Sequence, residues 1–402
     1  MKRYFLFIGL LVTGFSAGRA GLHMGLGSAV AGHDAEVFAE ERARALTLNV
    51  PVCSGTQYSV SPIDLATPFN LDPLGHMSGV GGHMFPTDHI YFYVPKATEA
   101  TPTINIYSPG NIGIYQVASS RYLNASPPFT DYTIRFTPCQ GLLGFFYHVG
   151  ELSPALAAAI GPINDYCSTY TDGSIYYCTK TVATYVNVGE LLGTMTGRVG
   201  SSFTTLDLGA YDHTQAALPF VSPARQPQEA LYTRCPLEPF QEPVKSLLEA
   251  RLGEYDGSVR RTDPPVCGEY MQDVPNTAQG LWYVPGTPPA PVQDISPHLA
   301  LVHENVLTST GVFSVGTSMS ASSLPGTQYR FDTASAGQVN LDFDLVTANG
   351  TVYCYDTFSN LPNSIILVQL TSATTLKIER QTAANCGAGP WAFTSNVSNF
   401  ER

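Results

Sequence analysis

From Cys53 onward the chain is interrupted every few residues by glycine, proline or asparagine, and the runs between are rich in Tyr, Thr, Val and Ile. Proline lacks a backbone donor and glycine weakens regular helix, so a sequence carrying 36 Gly and 30 Pro has little room for long helices. β-branched and aromatic residues between turn-formers read instead as short strands. Such runs lie at Ile90–Val94, Thr103–Tyr107, Ile112–Ala118, Tyr132–Phe136, Leu143–His148, Ser174–Val188 and Phe203–Leu208. Ser153-Pro154 opens a short helix over Leu152–Ile160, with proline in its first turn. A single amphipathic helix is expected ahead of the strands, over residues 33–48, where Ala35, Phe38, Ala39, Ala43 and Leu46 share a face.

Residues 213–264 break the strand pattern. Pro219, Pro223, Pro227, Pro236, Pro239 and Pro243 punctuate them, and Pro243–Leu252 is helical in character. This segment reads as a connector. From residue 265 to 402 strands return, at Leu281–Val284, Ala300–Val302, Phe313–Val315, Tyr329–Phe331, Gly337–Val346, Thr351–Tyr355, Ser364–Leu370 and Thr375–Arg380. Closely spaced strands of this kind fit a β-sandwich-like domain. The expected fold is mainly β, with an N-terminal β domain over residues 51–212 and a C-terminal sandwich-like domain over 265–402.

Lys2 and Arg3, the apolar run Tyr4–Gly14 and the small residues Ser16, Ala17, Gly18 and Ala20 form the three zones of a secretory signal peptide, residues 1–20. The run is too short for a permanent membrane span, and no later stretch is long enough. The expectation is a secreted, periplasmic or surface protein. Eight cysteines in an oxidising compartment are expected to pair. Pairing in chain order joins Cys53 to Cys139, Cys167 to Cys178, Cys235 to Cys267, and Cys354 to Cys386; Gly173 supplies a turn between the second pair. Spacing alone leaves other connectivities open. Without residues 1–20 the chain keeps 17 basic against 32 acidic residues, a net −15. That charge is repelled by phosphate backbones and argues against nucleic acid as a partner.

Chemistry-bearing residues concentrate in Gly82-His83-Met84-Phe85-Pro86-Thr87-Asp88-His89, which runs directly into Ile90-Tyr91-Phe92-Tyr93. Imidazole and carboxylate are donors that zinc accepts. On an extended strand, however, adjacent Asp88 and His89 point to opposite faces, so joint ligation needs a bend. Pro86 makes one available. The competing reading is a loop in which Asp88 caps a turn and His89 bonds to backbone.

Three further stretches follow in order: Ile106-Tyr107-Ser108-Pro109-Gly110-Asn111, then Phe146-Tyr147-His148-Val149 with Leu152-Ser153, then Val186-Asn187-Val188-Gly189-Glu190-Leu191-Leu192-Gly193 with Gly197. Their order resembles that of the lysostaphin-type zinc endopeptidases of bacterial cell walls. That family's motifs run H-x-x-x-D, V-x-A-P-x-D-G-x-V, Y-x-H-L-S, V-x-x-G-x-x-I-G and H-x-H. The resemblance covers residues 65–212 and implies a peptidase-like β domain. It places His89 on the first zinc ligand, Tyr93 on the aspartate ligand, His148 on the catalytic histidine, and Leu206-Asp207-Leu208 on H-x-H.

Catalytic zinc takes about three protein ligands plus an open position. The resemblance leaves one of them, and its replacements, Tyr93 and the two leucines, imply an old site filled by apolar packing. The expectation is therefore an exported, non-catalytic protein without a cofactor. It would bind a cell-wall peptide, a glycan or a surface protein along a groove lined by Tyr91, Tyr93 and Tyr147. The alternative is an active zinc endopeptidase with a rearranged site. There His89 joins His83 or Asp88, Asp207 or Asp212 completes the shell, and His148 is the catalytic group. A purely structural surface protein is a third reading. His298 and His303 lack the helical spacing of a zinc motif and read as structural.

Overall fold

A computed structural model describes residues 43–402 except 46, 79–82, 96–103, 171–172, 196–202, 293 and 323. The expected signal peptide and most of the 33–48 helix lie outside the described residues; residues 43–45 and 47 are helical. The protein is mainly β, built from several antiparallel sheets.

The first half contains β1 (Asn70–Asp72), β2 (His89–Pro95), β3 (Ile104–Tyr107), β4 (Ile112–Tyr122), β5 (Phe129–Cys139), β6 (Leu142–Val149), β7 (Glu151–Leu152), α1 (Pro154–Ile160), β8 (Tyr166–Tyr170), β9 (Ile175–Val186), β10 (Leu191–Met195) and β11 (Phe203–Asp212). Ser153 caps α1 through its hydroxyl, which accepts from the Leu156 amide. Eight strands form one sheet in the order β1-β2-β11-β6-β5-β4-β9-β8, and β3-β10-β7 form a second. The two sheets share one core. Ile90, Phe92 and Val94 of β2, Leu206 and Leu208 of β11, and Phe146 of β6 meet Ile106, Leu192 and Met195 of the small sheet. Because side chains alternate across a strand, the residues between these face the other way. His89, Tyr91 and Tyr93 share that opposite face with Thr205, Asp207 and Gly209, their partners in the β2–β11 register.

The connector holds α2 (Val244–Glu249) and packs along the β1 edge through the bridge Leu71–Leu252, and Gly268 just beyond the connector bridges Leu74. A covered edge cannot pair with another chain. The last part carries β12 (Gly280–Trp282), β13 (Leu299–His303), β14 (Thr310–Val315), β15 (Thr327–Asp332), β16 (Tyr353–Tyr355), β17 (Ser364–Ser372), β18 (Thr375–Thr382) and β19 (Ser398–Glu401), in two four-stranded sheets laid in sequence order. Trp282, Phe313, Tyr355 and Phe400 from both sheets belong to one core. The reverse face of β13 and β14, with Ala300, Val302 and Val312, packs against Met77, Met84 and Phe85 of the first domain. His76 and His83 thus each adjoin a residue held between the two halves.

Disulfides join Cys53 to Cys139, Cys167 to Cys178, Cys235 to Cys267, and Cys354 to Cys386, and no described cysteine is free. Four such bonds are consistent with an oxidising environment. No helix among the described residues is long and apolar enough to cross a membrane.

Candidate functional site

β11 lies between β2 and β6, and Asp207 stands opposite Tyr91 on one side and Tyr147 on the other. Asp207 is only 1% exposed. A carboxylate buried that deeply needs partners, because desolvating a charge is costly. It meets two imidazoles. His89 Nε2 lies 3.5 Å from Asp207 Oδ2, and His148 Nε2 lies 3.3 Å from the same oxygen. Each ring is tied at its other nitrogen to a carboxylate of its own: His89 Nδ1 is 2.8 Å from Asp88 Oδ1, and His148 Nδ1 is 2.7 Å from Asp131 Oδ2. The Tyr211 hydroxyl donates to the second oxygen of Asp88 at 2.6 Å.

His148 reaches this face by a local irregularity. Period two would turn residue 148 to the core side with Phe146. The β5–β6 register instead steps from Ile134–Phe146 to Tyr132–Val149, placing one extra residue in β6. His148 has φ of 65°, a left-handed conformation uncommon for a side-chain-bearing residue. Together these form a bulge that re-aims one side chain. Tyr147 and His148 then both serve the site face, while Val149 returns to the core. Close packing behind the ring pair needs Gly209, since a Cβ there would run into the Phe145 ring.

Proton placement follows from the carboxylates. Burial pushes the Asp88 carboxyl up, but hydrogen bonds from His89 and Tyr211 outweigh it and hold the group below the usual carboxylate range. An ionised Asp88 requires a proton on His89 Nδ1. A neutral His89 would then aim a lone pair at Asp207, and its buried Nε2 has no hydrogen-bond partner among the described residues. A proton shared between the two groups would relieve that conflict, as would a cation held between them.

His89, His148 and Asp207 are donor types that zinc accepts. Around tetrahedral zinc with bonds of about 2.0–2.1 Å, neighbouring donors sit about 3.3–3.4 Å apart. The two measured separations, 3.5 and 3.3 Å, are close to such edges. Histidine ligands typically give their other nitrogen to a carboxylate, as both do here. Among the described residues, however, no group of three or more His, Cys, Asp or Glu side chains is already arranged to hold a metal ion.

Several sequence expectations need correction. Leu206 and Leu208 are 0% and 1% exposed in the shared core, so the face that would carry an H-x-H pair is that of Thr205, Asp207 and Gly209. The site face is accordingly not filled with apolar packing; it carries Asp207 and His89. Asp88 and His89 do not point apart: Asp88 precedes β2, outside its pleat, and its carboxylate reaches its neighbour's ring. Asp212 is on the other parity of β11 and caps the following turn, accepting from the Thr214 amide and hydroxyl and from Gln215. His83 contacts the rings of His76, His89 and Tyr91 at centroid distances of 6.1, 6.3 and 6.2 Å. Tyr91 lines no open groove: it is buried, its ring 4.7 Å from that of His89. Tyr93 and Tyr147 are half-buried, against Phe203 and Phe145 respectively. Asp131 and Tyr211 join the site beyond the residues that the sequence singles out. Period two from Asp207 reaches Tyr211, and pairing the Tyr132 and Leu143 runs as a hairpin brings Asp131 near His148.

His298 is buried, its Nδ1 accepting from the Val284 amide, and His303 pairs with Asp342 at 2.8 Å, both in the second domain. Comparison with known proteins adds little. No family model matches the chain, and no curated protein matches it. Among solved structures it is similar to one described as "NMR solution structure of lysostaphin", at 12% identity and a TM-score of 0.23, covering 58% of this chain. The match spans 64% of that structure, under two thirds of its length. A likeness so distant assigns no residue a role.

Proposed function

We propose that the first domain carries a hydrolytic centre for peptide bonds in exported material, with His89, His148 and Asp207 holding a divalent cation such as zinc. The observation that carries this reading is the convergence of two imidazole Nε2 atoms on one buried carboxylate oxygen, each ring fixed by its own aspartate. A cation held there would supply Lewis-acid polarisation of a scissile carbonyl. Asp88 and Asp131 fix the tautomers of the two rings, and Tyr211 fixes Asp88. The order of motifs that resembles lysostaphin-type peptidases supports a cell-wall peptide as substrate.

A binding module without catalysis is the second reading, favoured by the lack of a ready three-ligand group among the described residues. One experiment separates the two. Purified chain is assayed for bound metal and for cleavage of crosslinked peptidoglycan, beside the Asp207→Asn and His89→Ala variants. The hydrolytic reading expects about one equivalent of zinc per chain, and both metal and cleavage lost in the variants. A metal-free wild type that sediments with intact peptidoglycan without cutting it establishes the binding module instead.

A further inference from the structure

A second aspartate–histidine pair borders the site and is built by both halves of the protein. His76 Nδ1 lies 2.8 Å from Asp72 Oδ2. The other Asp72 oxygen accepts from Asn305 Nδ2 at 2.6 Å, and the same amide donates to the Pro73 carbonyl at 3.0 Å. Asn305 follows β13 of the second domain and is buried, and its own carbonyl accepts from Arg261 of the connector at 2.7 Å. The chain Arg261–Asn305–Asp72–His76 thus starts in the connector, passes through the second domain and ends on the site face.

The His76 backbone is also locked to the site. Thr87 donates to the His76 carbonyl at 3.0 Å, and Gly75 donates to the Thr87 carbonyl at 2.9 Å, immediately before Asp88 and His89. Gly75 sits at φ of +86°, and a Cβ there would meet the Glu269 carbonyl. The His76 ring lies 5.1 Å from that of Tyr91, whose opposite neighbour is His89. Its side chain is 23% exposed, against 9% for His89 and for His148. It is the most accessible of these three imidazoles, and Asp72 occupies only its Nδ1 edge.

We propose that His76 is the proton-transfer group of the site and that Asp72 and Asn305 position it, so that the second domain completes the active centre. The inference rests on the hydrolytic reading. In amide hydrolysis the C–N bond breaks as water oxygen bonds to the carbonyl carbon. The amine leaves with a proton from His76 Nε2, and the proton shed by the water returns to the ring. The titratable and charged groups around His76 are Asp72 before it in the chain, Glu304 and Arg330 from the second domain, and the neighbouring His83 and Tyr91. Burial alone would lower the ring's affinity for a proton; Asp72 and Glu304 more than restore it, and the result is raised.

The test is the pH dependence of peptidoglycan cleavage by the full chain. His76→Gln is expected to lower kcat by about 10²-fold with KM little changed and to remove the alkaline limb. Asn305→Ala leaves His76 in place but removes the amide that orients Asp72, so kcat should fall with KM little changed. Full kcat with an unaltered limb in His76→Gln overturns the proposal, as does full kcat in a folded Asn305→Ala. An inert wild type, or cleavage that survives Asp207→Asn, overturns the hydrolytic reading together with this one. Activity lost in Asp207→Asn but unaltered in His76→Gln overturns this proposal alone.

Discussion

His148 Nε2 lies 3.3 Å from Asp207 Oδ2, although the pleat of β6 would turn residue 148 toward the opposite side of the sheet. The contact exists because an extra residue in β6 and a left-handed backbone at His148 carry the ring across. Backbone strain of that kind costs about 1–3 kcal/mol and persists where surrounding structure over-determines it. Here the Asp131 and Asp207 carboxylates bracket the ring.

That geometry separates the cost of the backbone from the value of the imidazole. Asparagine tolerates the left-handed region; valine does not. Both His148→Asn and His148→Val lose the ring between two carboxylates, and in urea unfolding His148→Val should be less stable than His148→Asn by about 1–3 kcal/mol. Both should lose cleavage and metal. Equal stability of the two variants would show that the left-handed backbone does not constrain residue 148.

The close packing behind the site gives a second prediction. The position of Gly209 opposite His89 leaves no space for a methyl group, because the Phe145 ring fills it. Gly209→Ala should destabilise the protein by about 1–3 kcal/mol through overpacking. The displaced ring should also disturb His89, whose centroid is 5.9 Å from that of Phe145. Thermal unfolding and metal content measured on the same sample check both parts.

Much of the strand architecture is legible in the sequence, and the reason is periodicity. Ile90, Phe92 and Val94 alternate with His89, Tyr91 and Tyr93, and the core takes the first set. The same rule applied to β11 would have put Asp207, rather than Leu206 or Leu208, beside His89. His148 escapes the rule because a bulge leaves no periodic trace. Asp131, Asp72 and Asn305 escape for a different reason: their partners are brought together by hairpin pairing and by domain packing, which no local spacing encodes.

Loop length ranks the disulfides. Closing the 86-residue separation of Cys53 and Cys139 removes more freedom from the unfolded chain than closing the 11-residue separation of Cys167 and Cys178. In the chain-entropy model these amount to about 4.6 and 2.8 kcal/mol. Replacing the first pair by serines should therefore lower stability more than replacing the second. Urea unfolding of the two double variants reads the order, and a reversed order would place the larger effect in native packing.

His298 sets an acid limit on the joint between the domains. It is buried beside Phe85 and Tyr283, with ring centroids at 6.0 and 5.2 Å, and burial lowers its pKa to about 4. In the unfolded chain a histidine titrates near the usual value of about 6.5. The unfolded state therefore binds a proton first as pH falls. Stability from neutral His298 is fully present above about pH 6.5 and is lost progressively down to about pH 4, by on the order of 2–3 kcal/mol. Wild type should lose that much between pH 7 and pH 4 beyond the loss shown by His298→Asn, which keeps a side-chain acceptor but no titrating ring. Identical pH dependence of the two proteins in urea unfolding would mean that His298 takes up its proton equally in both states.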